Sequence, residues 1–299
     1  MKRPLPLKKG ATIYITSTAR KISIEEIQLA IDSLEVWGYH VRIGKNIGIK
    51  NHQFAGTEAE RIASFQDALD DPDIDAIWCA RGGYGTVKII DEIDFTGFSE
   101  NPKWIIGYSD VTVLHSHIHN LGIETLHSTM PIDLKRNTKE SLTSLKNALS
   151  GNSISYMLPA SKNNRLGIAK GVLIGGNLSI LYSLLGSKSS IDTWGKVLFI
   201  EDVDEYLYHI DRMLMNLKRN GYFDGLAGLI IGSMTDMHDN SISFGKNATE
   251  IVLDIVSGYD FPVIFDFPAG HLDDNRTLLL GRNVKLEATS QYSSLTFQQ

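Results

Sequence analysis

The stretch WIIGYSDVTVLH runs from three apolar residues, Trp104, Ile105 and Ile106, into Gly107, then Tyr108, Ser109 and Asp110, and then a second patterned segment. A serine on a sharp strand-to-helix turn exposes its hydroxyl. The N–H groups and dipole at the start of the helix favour the negative charge that develops when a carbonyl is attacked. That is the setting of a nucleophile. Gly107 matches the first glycine of the G-x-S-x-G elbow, but Val111 replaces the second. Read from this stretch alone, capping of the following helix is the more ordinary role for Ser109.

A nucleophilic serine needs an imidazole to take its proton and a carboxylate to hold that imidazole. The chain has 9 histidines. His115, His117, His119 and His127 crowd together after Ser109. A helix would turn His117 to a different face from His115 and His119, which argues against a metal site and for partly exposed helix histidines. His238 lies among acidic residues in what reads as a polar loop. His271 follows the run PVIFDF and the turn Pro268-Ala269-Gly270, so it falls on a loop at the C-terminal end of a strand, where open α/β sheets build their sites. Glu201 ends the apolar run KVLFIED in the same way. A salt bridge is its structural alternative, and Asp202 and Asp204 are its rivals for a catalytic role.

A third feature is ARGGYGTVKIID. Arg81, Gly82, Gly83 and Gly85 follow an apolar run, and adjacent glycines let backbone approach a ligand closely. The spacing is neither G-x-G-x-x-G nor a P-loop. It reads as a loop for an oxyanion or a carboxylate, with Arg81 as an ion-pair partner and Gly82 and Tyr84 beside it. Cys79, the chain's 1 cysteine, ends the same apolar run and reads as a buried small hydrophobe.

These residues need strands to carry them. ATIYITS, HVRIGKN, IDAIWCA and KWIIGYS read as strands. SIEEIQLAIDSLEVWGY reads as a helix, with Ile27, Ile31, Leu34 and Val36 as its apolar set and Gly38 as its close. TEAERIASFQDALDDPD is a second helix, with Thr57 and Glu60 spaced as a capping box. TVKIIDEID and VTVLHSHIHNLG read as further helices. Strands alternating with helices imply parallel βαβ units. KRNTKESLTSLKNALSG reads as a surface helix, and NSISYMLPASKNNRLG is polar and broken. The expected division is an α/β unit over 1–150 carrying Ser109, a linker over 151–168, and a smaller, β-rich α/β unit over 169–299 carrying Glu201 and His271. The cleft between the two units is then the site. Beyond Gly171 come GVLIGGNLSILYSLLG, the strand KVLFIED, a long helix around YLYHIDRMLMNLKRNG, the strands GLAGLIIGSM and PVIFDFPAG, and TLLLGRNVKLEA as a hairpin-like end.

The bulk composition excludes several classes. The formal net charge is −6 over 299 residues, which argues against non-specific nucleic-acid binding. ATIYI is too short for a signal-peptide core, and no run reaches membrane length. A soluble, cytoplasmic protein is expected, with no membrane partner. A single cysteine allows no internal disulfide.

RGGYG, IIGYSDVTVLH, GVLIGGNLSIL with LLG, LFIEDVDE and FPAGH, in this order from about residue 10 to residue 285, resemble the LD-carboxypeptidase family of serine peptidases. That family includes muramoyltetrapeptide carboxypeptidases and microcin C self-immunity peptidases. The resemblance implies a Ser-His-Glu triad of Ser109, His271 and Glu201, with oxyanion donors at the N–H groups of Gly83 and Asp110. It implies hydrolysis of an L,D-peptide bond, releasing D-alanine from cytoplasmic murein tetrapeptide in peptidoglycan recycling. No metal or organic cofactor is called for, and a homodimer is implied. The chain departs from the family at Ile15-Thr16-Ser17-Thr18, where an Ala-Pro-Ser turn is common, and at His127-Ser128-Thr129-Met130-Pro131, where His-Gly-Pro is frequent. Both departures bear on substrate preference rather than on the triad.

Two other readings follow. An immunity peptidase cleaving a peptidyl-nucleotide amide needs an aromatic platform in the second unit, where Trp194 is the one tryptophan and reads as core packing. A non-catalytic α/β binding protein would leave Ser109, Glu201 and His271 apart.

Overall fold

A computed structural model describes residues 1–298. The first sheet is built from β1 (Thr12–Thr16), β2 (His40–Ile43), β3 (Ala76–Cys79), β4 (Trp104–Gly107) and β5 (Thr125–His127), all parallel. The helices of this half are α1 (Ile24–Trp37), α2 (Glu58–Asp70), α3 (Thr96–Glu100), α4 (Thr112–Asn120) and α5 (Lys139–Leu149). The second half holds β6 (Ser155–Pro159), β7 (Gly167–Asn177), α6 (Leu178–Ser183), β8 (Val197–Val203), α7 (Leu207–Arg219), β9 (Gly228–Thr235), α8 (Ala248–Ile255) and β10 (Val263–Ile264), then β11 (Leu278–Leu280), β12 (Asn283–Ala288) and β13 (Tyr292–Phe297). The strand order of the first sheet is β11-β5-β4-β3-β1-β2, and that of the second is β10-β9-β8-β7-β12-β13-β6. The fold is therefore two-unit α/β. The first sheet is parallel except for β11. The second is parallel from β10 to β7 and antiparallel beyond, which makes this half β-rich.

Local chemistry explains most of the elements. β3 and β4 are buried along their whole length, as inner strands of a sheet covered on both faces must be. Edge strand β2 is largely exposed. Thr57 and Glu60 form the expected capping box at α2, and Gly38 closes α1 in the left-handed conformation at φ 90°. Ile27 and Leu34 bury the inner face of α1, whereas Val36 is 84% exposed and belongs to the outer face.

Three expectations give way. TVKIIDEID is not a helix but two short 3₁₀ turns, Thr86–Lys88 and Ile90–Glu92, because Thr86 is tied to groups outside the segment. The stretch 151–168 contains β6, whose alternating exposure marks a half-covered edge strand. TLLLGRNVKLEA is not a hairpin. β11 pairs with β5 of the first sheet, whereas β12 pairs with β7 and β13 of the second. Arg282, in the turn between them, makes a bidentate ion pair with Glu124 at 2.5–3.0 Å, with both side chains nearly buried.

The GGN of GVLIGGN is where the two halves touch beside the site. A Cβ on Gly176 would strike Thr112 Oγ1 of α4, and one on Gly175 would strike the Phe199 carbonyl oxygen of β8. Asn177 N–H donates to Thr112 Oγ1 at 3.0 Å. Two glycines are thus required for close approach, at φ 126° and 148°. Replacing Gly175 with alanine is expected to cost about 3 kcal/mol or more, because a backbone atom cannot yield. Gly122→Ala, at φ 78° with open space around it, should cost only about 1–2 kcal/mol. Urea unfolding midpoints of the two variants check the contrast, and equal shifts would refute it.

Candidate active site

The turn after β4 places Ser109 at φ 62°, in the left-handed region that side chains other than glycine avoid. Gly107, at φ 157°, sits where a Cβ would press on Val111 and Cys79, so the glycine before the turn is a packing requirement. Ser109 begins a 3₁₀ turn, Ser109–Val111, that runs into α4, but its hydroxyl caps no N–H there. The capping reading is thereby removed. Ser109 Oγ instead lies 3.1 Å from His271 Nε2.

His271 is held from the second half. Its Nδ1 is 2.7 Å from Glu201 Oε2, and its carbonyl accepts from Thr235 Oγ1 at 3.0 Å. Gly270, at φ 113°, lies so close to Glu201 and Ser233 that a Cβ would stand 2.7 Å from Glu201 Oε2. The glycine of FPAGH therefore lets the histidine loop close over the carboxylate. Glu201 ends the inner part of β8 with 0% exposure. A carboxylate can only accept, so Nδ1 carries the hydrogen and the neutral ring presents its lone pair at Nε2 toward the serine. Burial opposes a charge on His271, but the Glu201 carboxylate, aided by Asp202 and Asp133, outweighs it and raises the pKa above the ordinary imidazole value. The three residues converge, which a scaffold for mere binding would not require.

Neighbours fix the imidazole further. Tyr108 packs on His271 with ring centroids 4.8 Å apart, and His127 lies edge-on between Tyr108 and Phe199 at 5.8 and 4.9 Å. His127 is fully enclosed, and burial drives its pKa well below the usual range. His115 is buried too, bonded to Thr125 Oγ1 and the Gly107 carbonyl at 2.8 and 2.9 Å, with its pKa lowered by burial to about 4. These are neutral packing groups rather than partly exposed histidines. His238 meets Asp204 at 2.6 Å. Cys79 is buried and its thiol is pushed up to about 12, first by burial and then by the Asp110 charge, so it is no nucleophile at neutral pH.

The rivals of Glu201 are otherwise engaged. Asp202 accepts from Asn177 Nδ2 and Ser179 N–H at 2.9 Å each, and its pKa is pushed up to about 7, by burial and then by Glu201. Asp204 is exposed. Asp110 turns its buried carboxyl to the Thr86 N–H at 2.8 Å and so ties the RGGYG loop to the serine turn. Burial raises its pKa against that hydrogen bond.

The RGGYG loop lies directly on the serine. A Cβ on Gly82 would stand 3.0 Å from Ser109 Cβ, 3.1 Å from Ser109 Oγ and 3.4 Å from Asp110 N. Arg81, Gly82 and Gly83 line a cleft of about 550 Å³ together with Ser109 and His271. Tyr84 does not line it; its ring faces Phe54 at 6.3 Å. Trp194 is 70% exposed, lies over Gly225 and is also outside the cleft lining, so it is neither core nor platform. The sequence reading missed Arg20, Asp133, Arg136 and Asn177, all of which line the cleft. Arg20 follows the departure at Ile15–Thr18, and Asp133 and Arg136 follow the one at His127–Pro131, so the places were marked although the residues were not.

The turn strain at Ser109 is measurable. Glycine adopts φ 62° freely, whereas alanine keeps the strain. Ser109→Gly is therefore expected to be about 1 kcal/mol more stable than Ser109→Ala, the reverse of the usual order. Thermal melts of the two proteins decide, and a less stable glycine variant would refute the strain.

The comparisons with known proteins agree with this geometry. Residues 13–128 match the LD-carboxypeptidase N-terminal domain and residues 170–286 the LD-carboxypeptidase C-terminal domain. A probable murein peptide carboxypeptidase from Bacillus subtilis is 32% identical over 97% of this chain and 92% of its own length. The microcin C7 self-immunity protein MccF of Escherichia coli is 27% identical over 98% of this chain and 95% of its own. The crystal structure of a muramoyltetrapeptide carboxypeptidase from Oxalobacter formigenes superposes with a TM-score of 0.89 at 25% identity, covering 96% of this chain and 99% of that one. On sequence, fold and the arrangement of its cleft, the chain belongs to the LD-carboxypeptidase family of serine peptidases.

Proposed function

We propose that this protein removes a terminal D-amino acid, D-alanine, from murein tetrapeptide by hydrolysing an L,D-peptide bond through an acyl-enzyme. The observation that carries the reading is the relay from Ser109 through His271 to the buried Glu201, at 3.1 and 2.7 Å, opening on a cleft. The names of the Bacillus and Oxalobacter relatives support the substrate class. Ser109 Oγ attacks the carbonyl carbon while its proton passes to His271 Nε2. The Gly83 and Asp110 N–H groups receive the oxyanion. Collapse breaks the C–N bond, and His271 returns the proton to the leaving amine. Water, deprotonated by His271, then releases the acyl group and restores the serine. Glu201 holds the imidazole and stabilises its charged form. Arg81 and Gly82 belong to the substrate side of the RGGYG loop in this reading, and Tyr84, turned to Phe54, does not.

The same reading places the protein in the cytoplasm, in peptidoglycan recycling, as a homodimer. It divides the chain into a nucleophile-bearing unit over 1–150 and a unit over 169–299 that brings the base and its carboxylate. Among the described residues no helix is long and apolar enough to cross a membrane. The peptidyl-nucleotide alternative has a relative in MccF, but Trp194 does not supply the aromatic platform it would need.

Release of D-alanine from L-Ala-γ-D-Glu-meso-diaminopimelate-D-Ala, followed by mass spectrometry, tests the reading. Wild type is expected to release it, and Ser109→Ala to lose at least about 10⁴-fold in kcat, since the enzyme keeps only binding and the oxyanion hole. Equal release by both would return Ser109 to a structural role.

The pH profile tests His271. Only the neutral ring accepts the serine proton, and its pKa is raised, so kcat/KM should climb with pH through a midpoint above the ordinary value of about 6.5. Glu201→Gln removes the charge that outweighs burial. Its midpoint should move below that of wild type and its kcat should fall by on the order of 10³–10⁴. A midpoint that does not move would sink the assignment of Glu201.

A further inference from the structure

Three arginines line the cleft: Arg20, Arg81 and Arg136. Two of them are occupied. Arg136 donates to Asp133 Oδ1 at 2.9 Å and to the Tyr108 hydroxyl at 3.4 Å. Arg81 donates to the Lys21 carbonyl at 3.3 Å and faces Glu26 at 4.0 Å. Arg20 differs. Its backbone N–H reaches the Gly82 carbonyl at 3.4 Å, but its guanidinium has no hydrogen-bond or ion-pair partner among the described residues. An exposed arginine without a partner is common on a surface. One laid along the wall of a cleft beside a candidate nucleophile is not.

The placement of Arg20 depends on a glycine. A Cβ on Gly83 would stand 2.5 Å from Arg20 Cδ and 2.6 Å from its Nε, so the arginine stem crosses the loop where residue 83 has no side chain. Gly82, the next residue back, lies against Ser109 Oγ. The guanidinium is therefore carried over the loop that covers the serine. Asp133, Asp202, Asp204 and Glu205 line the cleft too, but each is engaged: Asp133 with Arg136, Asp202 with Asn177 and Ser179, Asp204 with His238 and Glu205 with His209. An anion entering the cleft meets an unpaired cation in Arg20. Arg20 also borders an adjoining recess of about 350 Å³ with Lys21, His52 and Arg81, which adds positive charge beside it.

We propose that Arg20 is the anchor for the free C-terminal carboxylate of the substrate, and that this anchoring makes the cleft select chain ends. The proposal rests on the carboxypeptidase reading above. In a peptide cut at its last bond the terminal carboxylate carbon is two covalent bonds from the scissile nitrogen, so its receptor must border the nucleophile. A planar guanidinium with unused donors matches a carboxylate by two parallel hydrogen bonds. Arg81 is the weaker choice because Lys21 and Glu26 already engage it.

The test compares kcat/KM for the murein tetrapeptide acid with that for its C-terminal amide, in wild type, Arg20→Ala, Arg20→Lys and Arg81→Ala. Thermal melts identify any variant that fails to fold. Wild type should favour the acid by about 10–100-fold, the usual scale for a charged hydrogen-bonded pair. In Arg20→Ala that preference should shrink to within a few-fold of unity. Arg20→Lys should keep part of it, as a charge without the fork. A general structural defect lowers both rates together and leaves the ratio in place, so a ratio that survives Arg20→Ala overturns the anchor and leaves the activity standing. A ratio that collapses in Arg81→Ala instead also overturns it. No release of D-alanine from the acid by wild type sinks the substrate reading and the anchor with it.

Discussion

The pairing of Leu278–Leu280 with Thr125–His127 is the constraint on which the cleft depends. Three residues from the second half of the chain complete the edge of the first sheet. The segment just before them is the loop that carries His271. Backbone hydrogen bonds cannot slide by a fraction of a residue, so the strand sets the height of that loop over the end of β4. Thr277, at the junction, is fastened to Ser128 Oγ at 2.6 Å and to Ser144 Oγ at 2.8 Å, and its carbonyl accepts from the Tyr156 hydroxyl at 2.6 Å. The Arg282–Glu124 pair closes the far side. Removing one partner of such an enclosed pair usually costs about 3–5 kcal/mol. A cleft between two freely hinged units would not hold a serine and an imidazole at 3.1 Å. Here the units share a sheet.

The glycines around the site serve the same end. Gly82, Gly107, Gly176 and Gly270 each lie where a Cβ would meet a neighbour at 3.2 Å or less. Each removes a side chain so that two backbone segments, or a backbone and a side chain, can approach. Several also adopt positive φ, which other residues resist. Ser109 is the exception, since it accepts that strain itself and turns its hydroxyl toward the histidine. Strain of this kind persists only where the surroundings over-determine it. Here the 3₁₀ turn, the Asp110–Thr86 bond and the RGGYG loop do so together.

Electrostatics sets the strength of the base. Buried carboxylates at Glu201 and Asp202 lie beneath the histidine, and Asp133 stands beside it. Their field keeps His271 a stronger base than burial alone would allow, without exposing it to water. Asp202 is itself pushed up to about 7 by burial and by Glu201, which limits how much negative charge accumulates there. Arg20, Arg81 and Arg136 line the same cleft, and Arg136 offsets Asp133 at 2.9 Å.

Much of this was legible in the chain itself. Alternating strands and helices announced a parallel α/β sheet, because hydrophobic periodicity is a local property. Ser109, Glu201 and His271 stood out because each follows an apolar run and terminates it in a polar residue, which a strand interior does not explain. The five ordered motifs pointed to the family. The sequence was silent wherever the deciding partner was distant. TLLLG and NVKLEA look like a hairpin, since nothing local says that one belongs to each sheet. TVKIIDEID has helical spacing, yet a carboxyl 24 residues away pins its first residue. His115 and His127 read as helix and turn histidines because burial is a property of the packed whole. Arg20 and Arg81 are indistinguishable as letters, and only the packed loop shows which has a partner. The sequence by itself determined the elements and the chemical groups at their ends; the tertiary structure decided which ends meet, because strand pairing and close packing join residues whose separation along the chain carries no information about their separation in space.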